Sequence, residues 1–222
     1  MINLPVVNVD PVVFQFQAKR LISDSVWKAA NLELPNGITW PDTNEILEGR
    51  VPPGAGVNEV LVVNNLKRAW QFLFDQIEYP LDFATVSQYN RLIGEGSLIR
   101  DAGKLRAFGV KISGTDYVPP IPNLEGVSSL LNRLTKTSDL VERGLKTFTE
   151  IVRGQWFNDG NKRTAQLAAN HILIQNNVGI LAVPPDQKLE FSIRLVEYYE
   201  KNNFEEFADY LRQYCLEGVI DL

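Results

Sequence analysis

Apolar positions three and four residues apart run through most of the chain and predict helices. Val57, Val60, Leu61, Ala69, Phe72 and Leu73 mark a long amphipathic helix to about Ile77, which Tyr79-Pro80 ends. Another runs from a cap at Asp82 to about Leu98 on Phe83, Val86, Tyr89, Leu92 and Ile93. Upstream, Ser23 or Asp24 is a candidate cap for a helix through Val26, Trp27 and Ala30 that Pro35-Asn36-Gly37 closes. Asp42 or Thr43 can cap a short helix ending at Gly49. Val12 to Gln17 alternate and read as an edge strand or extended arm. Helices near 124–135, 139–153, 161–176, 186–201 and 204–216 complete the series, the last two with Asp186 and Asn203 as caps.

One stretch departs from the helical period. Phe108, Val110 and Ile112 alternate, Ser113-Gly114-Thr115-Asp116 reads as a turn, and Tyr117-Val118 precede Pro119-Pro120. A hairpin of this size is unstable alone, so it must lie against the helical body. The predicted fold is mainly α, a helical bundle with a small β-hairpin.

The 161–176 helix is apolar on more than one side, through Ala165, Ala168, Ala169, Ile172 and Leu173 and also Leu167 and Ile174, as expected of a helix buried among others. Its core position fixes its first turn, where Lys162 and Arg163 stand. Two cations at the positive end of a helix dipole are unfavourable by about 0.3–1 kcal/mol each. An anion removes that conflict, held by backbone N–H groups from Gly160 to Lys162 and by both side chains.

Composition narrows the alternatives. A chain of 222 residues with 45% hydrophobic content buries a substantial core. A net charge of −5 argues against a sequence-independent nucleic-acid binder. One cysteine, Cys215, and one histidine, His171, are too few for a structural zinc site or an internal disulfide. His171 lies about 16 Å beyond Gly160 along the same helix and is expected to be packed or at the surface. Met1 to Asp10 has neither a basic segment nor a long apolar run, and no apolar stretch is long enough for a membrane span, so a cytoplasmic protein without a membrane partner is expected.

Phe157-Asn158-Asp159-Gly160-Asn161-Lys162-Arg163-Thr164-Ala165 resembles the signature loop of the Fic/Doc family, H-x-F-x-D/E-G-N-G-R-x-x-R, in the Doc-type form that ends N-K-R-T-A. Ala102-Gly103-Lys104-Leu105-Arg106, with Val110, Gly114 and Pro119-Pro120, resembles the family's β-hairpin flap, and Glu48-Gly49 its inhibitory-helix motif. On this resemblance residues 1–42 are an N-terminal extension, 43–217 a Fic/Doc-like domain with 43–51 as inhibitory helix, and 218–222 a tail.

The resemblance implies a Fic-type bundle that binds ATP or another nucleoside triphosphate with Mg²⁺. Asp159 would be the metal ligand, Gly160, Asn161 and Lys162 the anion cradle, and Arg163 a phosphate ligand. A flap bearing Arg106, Val110, Lys111 and Ile112 would align an extended segment of a target protein. The family's usual reaction moves AMP to a Ser, Thr or Tyr hydroxyl, and Doc-type members transfer a phosphate. An antitoxin or a second copy of the chain is a further partner class.

Three positions depart from the Fic pattern, one of them Lys162, which replaces a glycine and makes the end of the loop Doc-like. Gln155 stands where the family has its general-base histidine, and an amide takes no proton near neutral pH. Gln166 stands at the second arginine, the usual partner of the inhibitory glutamate, so Glu48 would have only Lys162 or Arg163 to meet. The sequence therefore predicts a nucleotide site with impaired AMP transfer, the alternatives being a non-catalytic nucleotide- or partner-binding regulatory protein and a Doc-type phosphotransferase toxin.

Overall fold

The computed structural model describes residues 10–218; the stretch read for a leader, residues 1–9, and residues 219–222 of the tail lie outside them. In chain order the helices are α1 (Pro11–Arg20), α2 (Ile22–Glu33), α3 (Trp40–Leu47), α4 (Val57–Asp75), α5 (Phe83–Ile93), α6 (Leu124–Leu134), α7 (Leu140–Gly154), α8 (Asn161–Gln175), α9 (Lys188–Lys201) and α10 (Phe204–Tyr214). β1 (Ile180–Leu181) and β2 (Leu216–Glu217) form a two-stranded antiparallel sheet. No helix among the described residues is long and apolar enough to cross a membrane.

The bundle is organised around α8, which lies between two apolar clusters and contributes to both. Ala165, Ala168, Ala169 and Leu173 face the cluster built by α7, α9 and α10, around Phe148, Phe191 and Phe207. Leu167 and Ile174 face the cluster of α1, α2, α4 and α5, around Val63, Trp70 and Tyr89. The alanines on α8 and Gly144 on α7 let these two helices approach closely; a Cβ at Gly144 would stand 2.7 Å from Leu173 Cδ2. Phe14, Val26, Ala29 and Leu34 belong to the same core as α4, α5 and α8, so no packing boundary sets residues 10–42 apart. Lys28 on α2 also bridges its own Asp24 and Glu217 of β2, fastening α2 to the far end of the chain.

Several boundaries differ from the sequence reading. Val12 to Gln17 are helical: Asp10 accepts from the Val12 N–H (2.8 Å) and Pro11 presets the first turn. Phe14 and Ala18, four apart, are the buried pair. α2 has no side-chain cap, with Asp24 inside its first turn, and α3 is capped by Thr39 instead of Asp42 or Thr43. α5 stops at Ile93 with Gly94 as its C-cap residue, and the Asn65 amide donates to the Ile93 and Glu95 carbonyls at that end (3.2 and 2.8 Å). Asp186 lies in a 3₁₀ turn before α9 and does not cap it.

The predicted hairpin forms no ladder. Residues 106–118 carry no strand and turn at Gly114, and among the described residues the one isolated bridge joins Leu105 to Phe157, in the loop before α8. Side chains replace the missing cross-strand bonds. Arg106, almost fully buried, donates to the carbonyls of Phe108, Pro119, Pro120 and Gln155, and Glu200 accepts from Thr115 and from the Asp116 N–H.

His171 is core structure, with Nδ1 on the Tyr89 hydroxyl (2.7 Å) and Nε2 on the Tyr79 carbonyl (2.8 Å). A carbonyl only accepts, so Nε2 carries the proton and Nδ1 accepts from tyrosine. Burial is the largest cause of its pKa lying below the ordinary 6.5. The unfolded chain therefore binds this proton first, and stability present above about pH 6.5 falls as the pH drops below it. Urea unfolding between pH 7.5 and 5 should show that decline in the wild type, with a shallower slope in His171→Gln.

Candidate functional site

The loop before α8 is held by side chains of its own. Gln155 closes α7 in the left-handed conformation (φ 44°), and Trp156 and Phe157 are buried, the Phe157 ring stacked on Phe83. Asn161 fastens the loop onto the helix: Oδ1 accepts from the Phe157 N–H (2.9 Å), and Nδ2 donates to the Phe157 carbonyl (2.9 Å) and to Gln155 Oε1 (3.1 Å). Its side chain is therefore a strap, and only its backbone N–H remains for an anion.

A second amide, absent from the sequence prediction, fixes the loop from the other side. Asn90 on α5 donates to the Asp159 carbonyl (2.9 Å) and Thr164 Oγ1 (3.1 Å) and accepts from the Gly103 N–H (2.8 Å). It is fully buried. Its sequence signal was an amide on the same helical face as Val86, Tyr89 and Ile93.

The structure brings Asp159, Gly160, Lys162 and Arg163 together at the start of α8. Gly160 is the left-handed N-cap residue, no side chain caps the helix, and the first backbone bond runs from the Thr164 N–H to the Gly160 carbonyl (2.9 Å). The N–H groups of Asn161, Lys162 and Arg163 thus face outward along the axis. Asp159 is exposed, with one carboxylate oxygen on the Gly160 N–H (2.5 Å) and the other without a donor among the described residues.

Arg163 is not open to a ligand as predicted. It is 3% exposed and donates from Nη2 to Glu33 Oε1 at the end of α2 (2.9 Å), while its Nε has no partner. Glu48, the residue read as inhibitory, stays at the surface in an ion pair with Arg50 and meets neither Lys162 nor Arg163. Glu33 has that contact, and no motif in the sequence marked it. Burial, the largest cause, lowers the Lys162 pKa below 10.5; Glu33 and Asp159 oppose it, and Arg163 and Lys188 add to it. Gln166, one turn along α8, is buried with both amide atoms unpartnered.

Gln155 faces inward. Its Nε2 donates to the Val152 carbonyl (2.7 Å) and the Tyr199 hydroxyl (3.3 Å), and its Oε1 accepts from Asn161. Beside it the flap root is pinned: Tyr117 stacks on Tyr199, with the Arg153 guanidinium 3.9 Å from the Tyr117 ring centre. Arg106 joins flap and site directly, donating to the Gln155 carbonyl (2.5 Å). Lys111 is exposed, and Val110 and Ile112 are half-buried. The N–H groups from Ala107 to Ile112 make no bond to protein among the described residues.

Residues 80–173 match the family described as Fic/DOC family. The chain is 27% identical over 167 residues to the protein adenylyltransferase fic-1 of Caenorhabditis briggsae, and 26% identical to that of Caenorhabditis elegans. In each case 70% of this chain is covered but only 32% of the relative, so it spans about a third of their length. A Fic-domain-containing signaling protein from Bacteroides thetaiotaomicron shares the fold, with TM-score 0.76, 16% identity, and coverage of 93% of this chain and 87% of that one. A Fic-1 structure from Caenorhabditis elegans gives TM-score 0.72 at 20% identity, covering 92% of this chain and 62% of that one.

Gly160 tests whether the loop geometry is obligatory. Its φ is +73°, and a Cβ would stand 2.6 Å from Ile99 Cδ1 and 2.8 Å from Ile93 Cδ1. Left-handed strain and overpacking together should make Gly160→Ala less stable by about 2–4 kcal/mol in denaturant titration.

Proposed function

We propose that this chain, whose residues 80–173 match the Fic/DOC family, binds a Mg²⁺–nucleoside triphosphate at the start of α8 and lacks ordinary AMP transfer. The observation that carries the binding half is the uncapped first turn of α8, whose three N–H groups stand beside Lys162 and Arg163. Backbone donors and cations at a helix N-terminus suit a phosphate. Relatives named protein adenylyltransferases support a nucleotide as the ligand class.

Asp159 fits the metal. Mg²⁺ takes oxygen ligands, typically one or two carboxylates plus phosphate oxygens and water, and the free Asp159 oxygen is such a ligand. When bound it would neutralise phosphate charge. Lys162 would add an ammonium to the same phosphates, and Asn161 would hold the loop while offering its backbone N–H. Arg163 joins only if Glu33 releases it, so the carboxylate competes with the ligand for one guanidinium.

The impaired half rests on Gln155. Its amide has no titratable lone pair, and both its ends are already bonded within the protein. A positioned base typically contributes about 10²–10⁴ in rate, and no histidine is available: the single one is locked between Tyr79 and Tyr89. The unpaired N–H groups of Ala107–Ile112 support an extended protein segment as the flap's partner, added as a strand.

Calorimetric titration with ATP and Mg²⁺ tests the binding half. Glu33→Ala should tighten binding by about tenfold or more, the worth of one charge-assisted hydrogen bond no longer competed for. Glu33→Ala with Arg163→Ala, which leaves no buried charge unpaired, should lose that gain; binding indifferent to both changes rejects this cradle. For the second half, intact-mass spectrometry should find no AMP or phosphate added to wild-type protein or lysate proteins, and labelling on Gln155→His. Robust wild-type labelling would overturn it.

A further inference from the structure

The cation cluster at the start of α8 has a member that the signature loop does not supply. Lys188, the first residue of α9, reaches across to α2 and donates from Nζ to the Leu34 carbonyl (2.7 Å). Leu34 is the C-cap residue of α2 and directly follows Glu33, the residue that holds Arg163. A lysine on the last carbonyls of a helix is favourable, so Lys188 steadies the end of α2 that presents Glu33. Its charge also acts on Lys162, lowering the Lys162 pKa beside the larger effect of burial. Arg163 thus pairs with Glu33 itself, Lys162 feels the charge of both Glu33 and Lys188, and Lys188 holds the backbone carbonyl of the residue that follows Glu33.

We infer that Lys188 is a two-position phosphate ligand. With Glu33 on Arg163 it caps α2; with Glu33 displaced it turns to the outer phosphates of a bound polyphosphate. This rests on the reading of the α8 N-terminus as a phosphate site. A lysine suits the role, because its ammonium rides on a flexible four-carbon stem and offers rotatable donors. A phosphate oxygen carries charge and is a stronger acceptor than the Leu34 carbonyl, so the exchange favours the ligand. The ligand class follows from the arrangement. The N–H groups of α8 hold the phosphate nearest the helix, whereas Lys188 comes from another helix and adds only to phosphates further along. Nucleoside di- and triphosphates gain from it, and a monophosphate does not.

The test compares ATP, ADP and AMP, each with Mg²⁺, by calorimetry on Glu33→Ala and on Glu33→Ala combined with Lys188→Gln or Lys188→Arg. Lys188→Gln should weaken ATP by about tenfold, one charge-assisted hydrogen bond, and leave AMP unchanged, while Lys188→Arg keeps the ATP affinity. Amide hydrogen exchange at residues 30–36 adds a readout independent of affinity: in otherwise wild-type protein, ATP should speed it, and Lys188→Gln should speed it without ligand. ATP and AMP weakened equally, or neither weakened, would overturn the role of Lys188 alone. Absence of any nucleotide binding to Glu33→Ala would overturn the phosphate reading and this one with it.

Discussion

α8 has almost no side facing water, and much of the molecule follows from that. Its alanines press against α7, and its Leu167 and Ile174 complete the cluster of α1, α2, α4 and α5. A helix so enclosed can meet a ligand only at an end. The backbone there cannot be capped by a neighbour, since Gly160 has no side chain and the Asn161 side chain is turned back onto the loop. The unpaired N–H groups are thus a product of packing, and the cations that follow them sit where packing puts them.

The sequence made much of this legible. Repeated apolar spacing located the helices, and the two-sided pattern of α8 announced its burial. What stayed hidden depended on partners remote in the chain. The alternation from Val12 to Gln17 looks like a strand until Asp10 and Pro11 are recognised as a helix start. The alternation in the flap is present in the sequence, but the segment is held by Arg106 and Glu200 bonding to backbone, which no period encodes. Asn90 was visible only as an amide on an apolar face, and Glu33 and Lys188 carry no local mark. Glu48 had the motif and not the position, because it ends on the surface beside Arg50.

Gln155 illustrates how one residue can serve a site wall through both its backbone and its side chain. Its left-handed backbone closes α7, and its carbonyl receives Arg106 from the flap. The amide joins Val152, Tyr199 and Asn161, three separate parts of the site wall. An imidazole can bond on two sides as well, but it can also exchange a proton, and that is the property this position lacks. The loop is rigid through contacts that do not require chemistry.

The separation of the paired charges along the chain bears on how the site comes into being. Arg163 and Glu33 are 130 residues apart, and Lys28 and Glu217 are 189 apart. Contacts this remote require large loops to close before they contribute anything, so they tend to be late events in folding. The helix bundle can collapse on local contacts while α2 is still loosely placed. In that interval the start of α8 would carry its cations without the Glu33 carboxylate. The carboxylate that holds Arg163 thus arrives after the helix that carries the arginine.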